Sequence, residues 1–522
     1  MKLSVQWKCS RAAIVRSDDD ALFETDDEWE IFVNGQSRGT TRRVDTYIPD
    51  LEPATRYEVR YVHEGISLSC GFVTPAETCS LNVRDFGAAG DGVRDDTISI
   101  QAAIMACPEG GRVLVPAGDY RVKSIFLKSG VNVELAAGAR ILARHDRESL
   151  AILPNPQPLH GGQGNQPLLS MGSWEGVPAP TFCSTITGLR VHDACVYGQG
   201  VLDGQANDDE DNWWYQAKVI RGAARPRMVF LNECDNVTLA GITIRNSPSW
   251  NVHPLLCHDF RALALTIEGP AVSPNTDGMD PESCQGVTIA GCLFSVGDDC
   301  IAIKSGRLET PRELRPTTTN VTIEHCRMHD GHGAVVIGSE LAGGLFGLTV
   351  RKCLFERTDR GLRVKTRRGR GRESDTACVT FEDICMDSVK TPFVINSFYF
   401  CDPDGKTDYV QSREALPVDE RTPRLGNMTF RNIEATGAQV AAAWIAGLPE
   451  SKCNRLELSH VHVSFADECT PGEPAMASGV GEMARRGFVI SNVDELVLHD
   501  VTLAGQDGQP FDLSNVDRVT EV

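Results

Sequence analysis

Short runs of alternating apolar and polar residues, broken every few positions by turn residues, make up most of the chain. In residues 1 to about 78 they include Glu30-Ile31-Phe32-Val33 and Tyr57-Glu58-Val59-Arg60-Tyr61-Val62. Asn34-Gly35 and the stretch from Asp50 to Pro53 interrupt them. A period of two with such breaks predicts a small antiparallel β unit, a sandwich of short strands.

A second unit, residues 79–522, opens at Cys79. Asp95-Asp96-Thr97 can cap one helix that carries Ile98, Ile100, Ala103, Ile104 and Ala106 and is stopped by Pro108. Short strands then follow, Val113-Leu114-Val115 and Val131-Asn132-Val133-Glu134-Leu135. From about residue 190 a theme repeats. Val237-Thr238-Leu239, Val287-Thr288-Ile289, Val321-Thr322-Ile323 and Leu348-Thr349-Val350 share it, and it returns at Val379, Met428, Leu456 and Leu496. One such unit cannot bury its apolar face alone, so the units must stack. The pattern predicts an all-β chain: a right-handed parallel β-helix preceded by a small β-sandwich. A β-propeller, the alternative, needs hairpins and a more even period of about 40 residues.

The repeats also set a register. Sixteen positions after Val287, Val321 and Leu348 stand Ile303, Ile337 and Val364, each in a second apolar run. Equal offsets predict stacked strands, about 4.8 Å apart. Eleven positions after the same origins stand Asp298, His332 and Asp359. Alignment by motif adds Asp277, from Asn275-Thr276-Asp277-Gly278-Met279-Asp280, to the column of Asp298. Residues far apart in sequence thereby become neighbours.

Charge narrows the function classes. Lys plus Arg is 51 and Asp plus Glu is 71, a net charge of −20. That opposes general binding of nucleic acid or an anionic membrane, and no apolar run is long enough for a membrane span. Lys8, Arg11, Arg16 and Asp18 interrupt every apolar stretch near the start, so no signal peptide is expected. The 18 cysteines are spread without CxxC pairs and are expected to be buried, reduced thiols. Together these features predict a cytoplasmic protein; secretion would need a leader outside this sequence.

The column holds the candidate chemistry. Asp277, Asp298 and Asp299 crowd together, and like charges a few ångströms apart cannot all ionise, so at least one pKa should rise. A protonated carboxyl beside ionised ones is what glycosidic cleavage needs. Turn capping and a Ca²⁺ site with oxygen ligands are the competing readings. Adjacent Asp298 and Asp299 can both face one groove only at a bend, which Gly297 is expected to permit. His332, between Gly331 and Gly333, can hydrogen-bond an aspartate and tune it. Arg363 and Lys365 share one strand face at spacing i, i+2, one coil further on. Two cations beside acids suit an anionic substrate, the cations binding its acid groups. Nucleic acid fits less well, because aromatic residues are not interleaved with the charges.

Asn275-Thr276-Asp277, Gly297-Asp298-Asp299, Gly331-His332-Gly333 and Arg363-Val364-Lys365, in that order, resemble the motifs of the polygalacturonase family, glycoside hydrolase family 28. Val364, where the family has Ile, is the one mild departure. Val83-Arg84-Asp85-Phe86-Gly87-Ala88 with Gly90-Asp91-Gly92 resembles the opening of pectin-degrading β-helix domains, and Leu51-Glu52-Pro53-Ala54-Thr55-Arg56-Tyr57 resembles the tyrosine-corner segment of a fibronectin type III sandwich. The first resemblance implies inverting hydrolysis of α-1,4-linked galacturonic acid in pectic chains or oligomers, with no metal or cofactor. It assigns Asp298 as general acid, Asp277 and Asp299 to water, and His332 to the acid's protonation state. Asn275, Arg363, Lys365 and, more weakly, Tyr399 would bind substrate. A fibronectin-like leader resembles bacterial exo-acting members, and insertions at 145–185 and 401–425 could wall off one groove end. A Ca²⁺-dependent pectate or rhamnogalacturonate lyase, a rhamnogalacturonan hydrolase and a non-catalytic glycan-binding β-helix are the rivals on the same fold.

Overall fold

The computed structural model describes residues 2–18, 20–154, 171–216 and 219–521. Two antiparallel sheets form the N-terminal unit. One joins Lys2–Lys8, Ala13–Asp18 and Asp45–Ile48; the other joins Gln36–Arg43, Glu24–Val33, Arg56–His63 and Ile66–Val73. Trp29, Val59 and Tyr61 fill the space between them. The Tyr57 hydroxyl accepts the Glu52 backbone N–H at 2.7 Å, the corner bond that its sequence segment predicts.

From Ser80 the strands turn parallel and stack in right-handed coils. One column of inward side chains runs Val196, Leu239, Ala262, Ile289, Ile323, Val350 and Phe381, then on through Phe430 and Leu458 to Leu498. The apolar half of each repeat is thus continuous core. The theme missed His192–Gly198 and also His258–Leu263, whose Phe260-Arg261-Ala262 lacks the β-branched signature yet occupies its rung.

A second ladder forms the floor of the site. Val252, Met279, Ile301, Val335, Leu362, Phe393 and Ala443 follow one another across it. The predicted stacking of Ile303, Ile337 and Val364 holds. Asp298 and His332 also align, since Ile301 pairs with Val335. Asp277 does not share that column: Met279 pairs with Ile301, which places Asp277 beside Asp299. Aligning the motifs displaced the rung by one residue.

The sandwich packs against the coils. Ala12 and Ile14 bury against Tyr197, Ala240, Leu263 and Ala290. Arg16 bridges its own Asp45 at 2.7 Å and Glu324 of the helix at 2.6 Å. All 18 cysteines are free thiols, most of them buried. Among the described residues no helix is long and apolar enough to cross a membrane. Residues 155–170 of the expected 145–185 insertion lie outside the described residues.

Candidate active site

The segment between strands Leu293–Ser295 and Ile301–Ile303 is bent, so Asp298 and Asp299 both reach the floor. Gly297 acts differently from expectation. Its φ is ordinary, but a Cβ there would lie 2.3 Å from the Ser273 carbonyl, so it allows close approach of the preceding coil. Oxygens of Asp277, Asp298 and Asp299 lie within 4.8 Å of one another.

The three carboxyls differ in what surrounds them. Asp299 is almost fully buried; Lys365 Nζ lies 2.6 Å from its Oδ2 and Arg363 Nη1 3.2 Å from its Oδ1. Burial alone would raise its pKa, but Lys365 and Arg363 outweigh that and hold the carboxyl well below the usual range. Asp277 is equally buried without a direct cation. Burial, then the charges of Asp280 and Asp298, push it well up. The predicted raised acid is therefore present, joined by Asp280, which burial raises to about 8. Asp298 keeps 22% of its side chain exposed and accepts the Asp299 N–H at 2.9 Å. His332 Nδ1 is 3.3 Å from Asp298 Oδ1, and this hydrogen bond raises the imidazole pKa.

Glycines make these contacts possible. Gly331 adopts φ 89°, and a Cβ there would lie 2.6 Å from the Asp298 carbonyl oxygen. Gly333 stands on the rung between Asp299 and the basic strand. A Cβ there would meet Asp299 Oδ1 at 3.3 Å and Arg363 Cδ at 3.6 Å, so its bare backbone leaves the gap that the two cations cross.

Asn275, at φ 55°, is fixed by Arg225, whose Nη2 donates to Asn275 Oδ1 at 2.9 Å. Tyr399 lies 5.7 Å, ring centre to Nζ, from Lys365, and burial pushes its phenol up. Asn275, Asp277, Asp298, Asp299, Lys365 and Tyr399 line one cavity of about 140 Å³. Arg363 stands behind it, with Nη2 2.8 Å from Met476 Sδ.

Other lining residues were missed: Glu175, Trp250, Lys304, Arg307, Glu340 and Asp402. Lys304 is buried, 3.0 Å from Glu340 and 3.5 Å from Asp280. A charge ending the apolar run Ile301-Ala302-Ile303 was the signal available for it.

The floor is covered on both sides of the cavity. On one, Trp174 stacks on Trp250 at 6.2 Å, and Leu153, Met171 and Cys183 cover Phe230 and Leu255. On the other, Ala475 and Ala477 cover Val394, Phe398 and Trp444, while Asn396 donates to the Met476 carbonyl at 3.1 Å.

Three clustered carboxylates could hold a cation. Both oxygens of Asp299 already face protein cations, which leaves little of the trio's negative charge for a metal. The arrangement suits proton transfer beside an anionic ligand.

Residues 111–474 match the profile of glycosyl hydrolases family 28, and residues 80–135 match a second profile, rhamnogalacturonase A/epimerase, pectate lyase-like. The chain belongs to family 28. It is a glycoside hydrolase of the polygalacturonase type. A probable polygalacturonase of Vitis vinifera is 28% identical over 74% of each chain. An endo-polygalacturonase of Pectobacterium carotovorum is 30% identical over 58% of this chain and 72% of its own. The fold is that of a family 28 exopolygalacturonase from Yersinia enterocolitica, with a TM-score of 0.72 and 20% identity over 99% of this chain and 98% of the other.

Proposed function

We propose that the enzyme hydrolyses α-1,4 links between galacturonate units in polygalacturonate or its oligomers, acting at chain ends and inverting the anomeric centre. The supporting observation is the convergence of three unequal carboxyls with Lys365 and Tyr399 in one cavity. Burial and mutual repulsion keep a proton within the trio. We assign the role of proton donor to Asp298 from its position, as the acid that reaches the groove. Asp298 gives that proton to the glycosidic oxygen as the C1–O bond breaks. Water attacks C1, and its proton passes to Asp277, a stronger base than Asp299. His332 supports Asp298 through their hydrogen bond, Lys365 and Tyr399 receive a substrate carboxylate, and Asn275 borders the same cavity.

Oxygens within 4.8 Å are closer than the roughly 6.5–9.5 Å usual between the acids of inverting enzymes. Inversion is favoured here because Asp299 is buried and held at both oxygens by protein cations, while the raised basicity of Asp277 suits it to take a proton from water. A cavity whose floor is covered on both sides favours chain ends over mid-chain binding.

The test is digestion of polygalacturonate in EDTA. Reducing ends should form without the absorbance of unsaturated uronide, viscosity should fall slowly, and Asp298→Asn should lose at least about 10²-fold in kcat. Activity that chelator abolishes and Ca²⁺ restores would identify a lyase.

A further inference from the structure

One side chain outside the chemistry joins the walls of the cavity. Arg307 Nη2 lies 3.3 Å from Glu175 Oε2, 3.4 Å from Glu340 Oε1 and 3.6 Å from Asp402 Oδ1. These partners come from three places. Glu175 belongs to the segment that caps one side of the floor, Asp402 to the insertion after Tyr399, and Glu340 to the end of a floor strand. The backbone reinforces the first link. Arg307 N–H donates to the Gly176 carbonyl at 3.0 Å, and the Thr310 hydroxyl donates to the same oxygen at 2.6 Å. Asp402 is gripped further by Arg367 at 2.7 Å and Arg370 at 2.5 Å. Burial disfavours charge on Arg307, but Glu340, Asp402 and Glu175 outweigh it.

Glu175, Arg307, Glu340 and Asp402 all border the cavity that holds the aspartates. At about 140 Å³ it is well under the roughly 300–1,000 Å³ that hosts a drug-sized ligand. There is room for about one sugar ring. Without the guanidinium, Glu340 would keep Lys304 and Asp402 would keep Arg367 and Arg370, but the side-chain link that joins Glu175 to them would be lost.

We infer that Arg307 is a specificity-determining strut: it ties two separate segments into a wall that confines the cavity to a single terminal uronate, so the product is the monosaccharide. This rests on the end-acting reading above. The guanidinium at the junction explains how acids from distant segments can meet where an anionic substrate must enter.

The experiment is a chromatographic product profile from the first minutes of digestion of polygalacturonate and of tetragalacturonate. The wild-type enzyme should release monomer only. Arg307→Met should release dimer and trimer early and raise kcat/KM on polymer relative to trimer by about tenfold, the scale of losing one charge-assisted contact. Glu175→Gln and Asp402→Asn each weaken one side-chain link of Arg307 and should broaden the profile less. If Arg307→Met does not fold, those two variants decide: a broadened profile supports the strut, and monomer alone from both overturns it. A folded Arg307→Met that still releases only monomer also overturns it. Dimer as the sole wild-type product would refute the single-unit cavity while leaving end-wise action intact. A wild-type ladder of oligomers would refute end-wise action itself.

Discussion

Lys365 Nζ lies 2.6 Å from Asp299 Oδ2, reaching across the rung on which Gly333 has no side chain. The cation therefore has two tasks. It faces the cavity and it keeps Asp299 ionised. Lys365→Met should lower kcat/KM on galacturonate substrates by about 1.5–3 kcal/mol, the range for hydrogen bonds to charged groups. Asp299 has a depressed pKa, so its paired form persists above the ordinary carboxylate range and is lost only in strong acid. Removing Lys365 should move the acid limb of the rate profile to higher pH. A variant whose acid limb does not move would separate Lys365 from Asp299 in function.

His332 predicts the opposite limb. Its pKa is raised by the bond to Asp298, so the imidazolium is present at low pH and is lost as pH rises through the raised value. His332→Gln keeps a hydrogen-bonding amide but cannot titrate. It should lower kcat by about 10²-fold, and its profile should lack the wild-type alkaline descent. The same descent in the variant would assign that limb to another group.

Asp280 bears on stability. Its carboxyl is fully buried, Lys304 Nζ lies 3.5 Å from Oδ1, and burial raises its pKa to about 8. Facing it are Asp277, Lys304, Asp299 and Arg227. Between about pH 4 and its raised value the unfolded chain has lost this proton while the native chain holds it. Stability should therefore fall with rising pH by about 1.4 kcal/mol per unit from this group. Asp280→Asn mimics the protonated form, so its stability relative to wild type should climb across that window in denaturant titrations. A constant difference would mean that Asp280 ionises normally.

Deleting residues 1–78 should leave the product profile unchanged but lower the melting temperature. The sandwich docks on Tyr197, Ala240, Leu263 and Ala290, away from the aspartates, and Arg16 is a partner of buried Glu324. An altered product profile would give the sandwich a part in substrate binding.

Which features the sequence revealed follows from how local they are. The Val-Thr-Ile runs declared the coils because β-branched residues mark each rung, and equal offsets placed His332 beside Asp298. Tyr57 found its corner bond because that motif closes within five residues. Asp96 shows the limit. It sits at the start of helix Thr97–Ala106, but its carboxylate accepts the Ala89 and Gly90 N–H groups instead of capping the helix. The wall was invisible for the same reason: Glu175 and Arg307 meet across 132 residues of chain, and no local pattern joins them.

Hydrolysis with inversion is read most directly from a proton NMR spectrum of the first minutes of a polygalacturonate digest in EDTA. Water activated within the aspartate cluster must attack the face opposite the departing oxygen. Inverting hydrolysis of an α link gives new reducing ends in the β configuration and no vinyl proton. Reducing ends that appear first as α, or a vinyl signal from an unsaturated uronide, would contradict it.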